Sequence, residues 1–109
     1  MIRVRFHPEA IRELDHELDF YADARGGVAA RFLDRVEEVV DRAGRCPLSG
    51  APAPAGSRGL GVRGFPFTVI YLCDERELLV IAIAPHRRRP AYWADRVLRG
   101  ISSVPPCTP

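Results

Sequence analysis

Two apolar runs separated by four charged residues dominate the second half of the chain. The first run, FTVIYLC (67–73), is rich in the β-branched and aromatic residues that favour strands. The second run, LLVIAIA (78–84), is apolar at every position, which is typical of a strand buried on both faces. The charged segment DERE (74–77) indicates a tight turn between them. The sequence therefore predicts a β-hairpin inside the core.

The N-terminal part has the period of one strand followed by a helix. Residues 2–6 (IRVRF) alternate apolar side chains with arginine, as a half-buried strand does. Pro8 then opens a helix with apolar residues at every third or fourth position, and RGG (25–27) ends it. The apolar stripe of this helix consists of Ile11, Leu14, Leu18 and Tyr21.

A second helix has the clearest helical period in the sequence. Its apolar positions are Ala29, Phe32, Leu33, Val36, Val39, Val40 and Ala43. Gly44 is expected to end it, and the short glycine turn before it implies an antiparallel helical hairpin. Residues 46–59 are rich in Pro, Gly and Ala and are predicted to be a loop. Residues 60–65 are predicted to be a further strand.

The end of the chain predicts one more helix and a tail. Pro90 suits the first turn of a helix that carries Trp93, Val97 and Ile101 on one face, so Trp93 is expected to pack against the sheet. We expect one domain over residues 1–100 and a disordered tail over 101–109. The fold class is α+β with two layers: an N-terminal strand, the helical hairpin, a three-stranded antiparallel meander and a short C-terminal helix.

Charge is distributed unevenly along the 109 residues. Residues 8–45 contain ten acidic residues and six arginines, whereas 46–109 contain eight arginines and four acidic residues. Lysine is absent, so the strongly basic side chains are all arginines. An arginine can make forked contacts to phosphate or carboxylate, but it cannot give up its proton to act as a base. The N-terminal ten residues carry no apolar signal core, and no run approaches the about 20 apolar residues of a membrane span. We therefore expect a cytoplasmic protein.

The segment PHRRRPAYWADR (85–96) concentrates this charge. Three of its arginines, Arg87, Arg88 and Arg89, follow the buried strand and must lie on a rim of the sheet. With Arg96 nearby and Tyr92 expected to be exposed, they predict a surface for a polyanion or an acidic partner. The alternative is a solvated cap on a strand end. Two interpretations also remain for Arg63, a functional rim residue or an ordinary surface arginine.

Several of these segments, taken in order, resemble the RelE/ParE superfamily of type II toxin–antitoxin toxins. The resemblance covers residues 2–99 and rests on RFLDRVEEVV, on GVRGFPFTVIY and on IAIAPHRRRPAYWADR. It implies a small toxin encoded beside a cognate antitoxin, with which it forms a hetero-oligomer. One branch of the superfamily inhibits DNA gyrase, and another cleaves mRNA on the ribosome.

Chemistry helps to choose between these branches. Cleavage of RNA through its 2′-hydroxyl needs a base, an acid and cations for the phosphorane charge. The cleaving branch often uses lysines together with a C-terminal tyrosine or histidine. Here His86 is the histidine placed to move protons; the alternative is that it is simply a polar residue at a strand end. The catalytic set of a ribonuclease would be His86, Arg87, Arg89 and Tyr92.

The shortage of bases favours a gyrase inhibitor of the ParE-like branch that needs no cofactor or metal. Its predicted target-binding set is Arg63, Arg87, Arg88, Arg89, Tyr92 and Arg96. A metal-independent, ribosome-dependent mRNA endoribonuclease and a degenerate binding module without toxicity are the alternatives. The target is thus expected to be DNA gyrase or, in the first alternative, the ribosome with its mRNA.

Overall fold

The computed structural model describes residues 2–24 and 26–100, and for 98–100 it describes the backbone. The strands are β1 (Arg3–Phe6), β2 (Ala51–Ala53), β3 (Ser57–Gly61), β4 (Phe67–Cys73) and β5 (Glu77–Pro85). The helices are α1 (Pro8–Ala22), α2 (Val28–Arg45) and α3 (Ala94–Gly100). The predicted α+β class and helical hairpin are confirmed. The predicted tail, 101–109, lies outside the described residues.

All five strands belong to one sheet in the order β1-β5-β4-β3-β2. The last four strands form an antiparallel meander, but β1 pairs with β5 in parallel, from Arg3 opposite Glu77 to Phe6 opposite Val80. A parallel neighbour needs a long crossover connection, and the chain between β1 and β5 contains the helical hairpin and three strands. The sheet is therefore mixed.

The loop and strand predicted between residues 46 and 65 were placed wrongly. Strand β2 lies within the predicted loop, and β3 starts at Ser57 and ends at Gly61, where a strand over 60–65 was expected. An edge strand tolerates Pro52, because its missing N–H would face away from the sheet. Residues 62–66 form a turn instead, in which Gly64 has a φ of 82°. Neither an exposed edge strand nor a turn requires apolar residues at regular spacing. The apolar pattern of the sequence therefore did not indicate β2 or the turn over residues 62–66.

Apolar layers cover both faces of the sheet. On one face the helical hairpin packs on alternate residues of β4, which are Phe67, Val69, Tyr71 and Cys73. On the other face Trp93 packs with residues of β4 and β5, which include Ile70, Leu72 and Leu79. Every residue of β5 from Leu78 to Pro85 is buried, so the predicted burial on both faces is confirmed.

The C-terminal helix begins later than predicted. Residues 90–93 form turns, and α3 starts at Ala94. Ala91 has a φ of 58°, in the left-handed region, and this interrupts a helix that Pro90 would otherwise open. Trp93 is 4% exposed, which confirms that it packs on the sheet. Among the described residues no helix has the length and apolarity needed to cross a membrane.

Candidate functional site

The edge of β5 next to β1 is open over its second half. β1 pairs with β5 as far as Val80, and the chain then leaves the sheet to start α1. Beyond that point the carboxylate of Glu13 on α1 accepts a hydrogen bond from the backbone N–H of Ile83 at 3.0 Å. The guanidinium of Arg96 donates to the carbonyl of Ile81 at 2.9 Å. Two charged side chains thus satisfy backbone groups that a strand would otherwise pair with.

Glu13 and Arg96 also bind each other. Both terminal nitrogens of Arg96 donate to the two oxygens of Glu13 at 2.9 Å, and the Tyr92 hydroxyl donates to the same carboxylate. The side chains of Arg96 and Glu13 are only 14% and 15% exposed. This forked geometry is the strong form of an arginine–carboxylate contact. Arg96 is therefore held inward and does not share the exposure of the neighbouring arginines.

Tyr92 is half-buried, so the expectation that it is exposed was wrong. Burial, followed by the hydrogen bond and the negative charge of Glu13, raises the pKa of Tyr92. Burial opposes the charged form of Arg96, but its contacts with Glu13 outweigh this effect and raise the pKa of Arg96. The tyrosine thus stays protonated as a hydrogen-bond donor to Glu13, and the arginine stays charged.

The arginine face consists of Arg87, Arg88 and Arg89, which follow β5 on the rim of the sheet. Arg87 is 70% exposed and lies 3.8 Å from the carboxylate of Glu17. Arg88 lies 3.9 Å from Glu13, and its guanidinium carbon is 3.9 Å from the centre of the Tyr92 ring. Arg89 is exposed and has no ion pair with any described residue. The three arginines share a rim, but their surroundings differ.

A cavity of about 260 Å³ separates α1 from the arginine face. Four arginines and three glutamates line it: Arg12, Arg87, Arg88, Arg96, Glu9, Glu13 and Glu17. The glutamates recur every fourth residue of α1, which places them along one side of the helix. The cavity wall is therefore close to balanced in charge, although the linear segment 85–100 is strongly basic.

Two further predicted site residues, His86 and Arg63, lie apart from this cavity. The Nε2 atom of His86 is 2.9 Å from the Thr68 hydroxyl, and its backbone N–H donates to Pro66 at 2.9 Å. Arg63 pairs with Glu38 on α2 at 3.3 Å, beside a second cavity of about 410 Å³. The structure thus brings Arg87, Arg88 and Arg96 to one cavity, whereas Arg63 pairs with α2. Tyr92 does not line the cavity but binds Glu13, which does, and Arg89 does not line it either.

Sequence reasoning missed Glu13 and Glu17. Glu17 follows Leu14 by three residues and precedes Tyr21 by four, so it occupies a position of the apolar stripe. A charged residue at such a position is either buried with a partner or interrupts the apolar stripe. The position of Glu17 was therefore a signal that the sequence contained. Nothing in the sequence shows that Glu13 would meet Arg96.

Comparison with known proteins agrees with this architecture. The solved structure of the chromosomal ParDE TA system from P. aeruginosa superposes with a TM-score of 0.66 at 22% identity, covering 78% of this chain and 96% of that one. No curated protein matches the chain in sequence. In sequence, residues 4–90 match the family model described as the ParE toxin of the type II toxin–antitoxin system parDE. The chain therefore belongs to the ParE toxin family of type II toxin–antitoxin systems.

Proposed function

We propose that this ParE-family toxin arrests growth by binding and inhibiting DNA gyrase in the cytoplasm, and that a cognate antitoxin neutralises it in a hetero-oligomer. The observation that carries the proposal is the composition of the rim. Among the described residues, the rim presents exposed arginines, and no general base lies beside a general acid there, which suits binding rather than bond cleavage.

The groups that a ribonuclease would need have other partners. The hydroxyl of Tyr92 donates to Glu13, and the ring of His86 contacts the Thr68 hydroxyl on the strand beside it. A general base has to reach the proton that it removes, and a tyrosine held protonated by a carboxylate is poorly suited to this step. The arrangement favours an inhibitor that acts by occupying a surface of its target.

Within this proposal the arginine face makes the first contact with the target. Arg87, Arg88 and Arg89 are exposed and offer forked donors to carboxylates. Tyr92 and Arg96 would position the arginine face without meeting the target first. Both bind Glu13, and the Tyr92 ring supports the guanidinium of Arg88. Arg63 would extend the surface along α2. The antitoxin would cover the arginine face with acidic residues while most of its affinity comes from apolar burial.

The test is induced expression in a host that lacks the antitoxin, with plasmid supercoiling and mRNA integrity measured separately. We expect growth arrest, relaxed plasmid and intact mRNA, and we expect purified protein to block supercoiling by purified gyrase. Cleaved mRNA with normal supercoiling would identify the ribosome-dependent endoribonuclease instead. Normal growth at verified expression of folded protein would identify a binding module without toxicity.

A further inference from the structure

Glu17 is a buried carboxylate whose counter-ion lies at the surface. Its side chain is 7% exposed, and its closest cation is Arg87 at 3.8 Å, beyond hydrogen-bonding distance. No described residue donates a hydrogen bond to the Glu17 carboxylate. Removing a charge from water is costly unless an opposite charge compensates it. Arg87 therefore compensates the charge of Glu17 on α1 although its own side chain faces solvent.

The other arginines of this region also differ in whether a carboxylate lies close to them. Glu13 holds Arg96 directly and lies 3.9 Å from Arg88. Among the described residues, Arg89 is the member of the face without a carboxylate within 4.0 Å. Binding to nucleic acid is driven by cations that replace the counterions of phosphates, so a cation already neutralised by the protein contributes less.

An exposed aromatic residue lies beside this compensated pair. Phe20 follows Glu17 by three residues, which places the two side chains next to each other on α1. Phe20 is 66% exposed, and its ring touches the edge of Tyr21 at a centroid distance of 5.2 Å. An aromatic anchor next to arginines is typical of a protein interface.

We propose that Glu17 is a specificity-determining residue: by neutralising Arg87 it keeps nucleic acid off the arginine face and reserves this face for a protein partner. That partner presents an apolar pocket to Phe20 and a carboxylate to Arg89, the arginine without an ion pair among the described residues. It therefore loses less from the neutralisation of Arg87 than nucleic acid does, because apolar burial adds to its affinity whereas nucleic-acid binding depends mainly on free cations. The proposal goes beyond gyrase inhibition, because it holds for any protein target of the arginine face.

The first test measures the salt dependence of binding to a short fluorescein-labelled DNA duplex by anisotropy. Glu17→Gln is expected to bind the duplex more tightly and to steepen the slope of log affinity against log salt by about 0.9, the value of one added phosphate contact. Asp19→Asn is the matched control, since it makes the same charge change at an exposed position of α1. It should leave the slope unchanged, and adding Arg87→Gln to Glu17→Gln should restore the wild-type slope.

A second comparison avoids the buried position. Arg87→Gln should leave the slope of the wild-type protein nearly unchanged, whereas Arg89→Gln should reduce it by about 0.9. Equal reductions by these two variants, or equal increases by Glu17→Gln and Asp19→Asn, would overturn the proposal.

Phe20→Ala separates the two kinds of partner. It should not change the affinity for a labelled single-stranded oligonucleotide. A loss of about tenfold, the effect expected when a base stacks on an aromatic ring, would show that the face is a nucleic-acid site.

Discussion

The carboxylate of Glu13 and the guanidinium of Arg96 form a two-pronged contact in which both nitrogen–oxygen distances are 2.9 Å. The pair joins α1 to the C-terminal segment and satisfies the backbone N–H of Ile83 and the carbonyl of Ile81. It therefore replaces strand pairing along the open half of β5. The same carboxylate holds Tyr92, whose ring supports Arg88, so the arrangement of the arginine face depends on it.

Glu13→Ala is expected to lower the free energy of unfolding by about 3 kcal/mol, because it leaves the charge of Arg96 and a strand N–H without partners. Urea denaturation measures this loss. Glu9→Ala on the same helix is the control, since its pair with Arg12 is exposed and should contribute less than about 1 kcal/mol. Equal losses in the two variants would show that the Glu13–Arg96 pair does not hold the segment.

Trp93→Ala is expected to lower the free energy of unfolding by about 3–5 kcal/mol, because it opens a cavity on the sheet face opposite the hairpin. Phe20→Ala removes an aromatic ring that is 66% exposed and should change stability by about 0.5 kcal/mol or less. Thermal or urea unfolding compares the two. A small effect at Trp93 would mean that the second apolar layer contributes little.

Stability should fall as the solution becomes acidic, partly through His7. The Nδ1 atom of His7 accepts a hydrogen bond from the backbone N–H of Glu9 at 3.0 Å and so caps α1. Burial, followed by the nearby charge of Arg96, lowers the pKa of His7 from 6.5. The unfolded chain therefore takes up this proton first, and the contribution of the cap, present above pH 6.5, is lost as the pH falls through the lowered pKa of the folded state.

The variant His7→Asn isolates this effect, since asparagine also caps helices but does not titrate. Between pH 8 and pH 5 the wild-type protein should lose about 1 kcal/mol more stability than this variant, a typical value for a cap. Urea denaturation across this pH range provides the measurement. Parallel pH profiles would show that His7 is not the titrating cap.

The double substitution of Arg87 and Arg88 by Glu should reduce toxicity more than antitoxin binding, because apolar burial supplies most of the affinity for the antitoxin. Association with the antitoxin should become slower and less sensitive to salt, with little change in dissociation. Stopped-flow or surface-binding kinetics measures both rates. The same double charge reversal at Arg3 and Arg45, which are exposed elsewhere, is the control. Full toxicity of the Arg87/Arg88 variant would show that the arginine face is only a solvated cap on the end of β5.

His86→Ala should leave gyrase inhibition unchanged and the fold intact, since the side chain is exposed and its hydrogen bond to a described side chain is the one with Thr68. Supercoiling assays with purified gyrase measure the first effect. A ribosome-programmed mRNA assay with the wild-type protein measures the competing activity. Cleavage that disappears in His86→Ala would contradict the proposed function and favour the endoribonuclease.

Local patterns in the sequence determined most of the architecture. The apolar runs of β4 and β5, the stripe of α2, most of the stripe of α1 and the burial of Trp93 follow from which residues repeat along a single element. Ile11 is the exception: it was predicted to belong to the stripe of α1, but it is 46% exposed. Such periods are set by the 2.0 and 3.6 residue repeats of strands and helices, so one segment is enough to display them. The edge strand β2 has neither an apolar face nor a full period and escaped this reasoning.

Tertiary structure alone decided how the charges are shared. Glu13 and Arg96 are 83 residues apart, and Glu17 meets Arg87 only because α1 crosses beside the end of β5. The parallel pairing of β1 with β5 sets that crossing, and it depends on contacts between distant segments. An ion pair between such segments leaves no period in either of them. The sequence therefore determined that arginines lie on the rim, and the fold decided which of them remain uncompensated there.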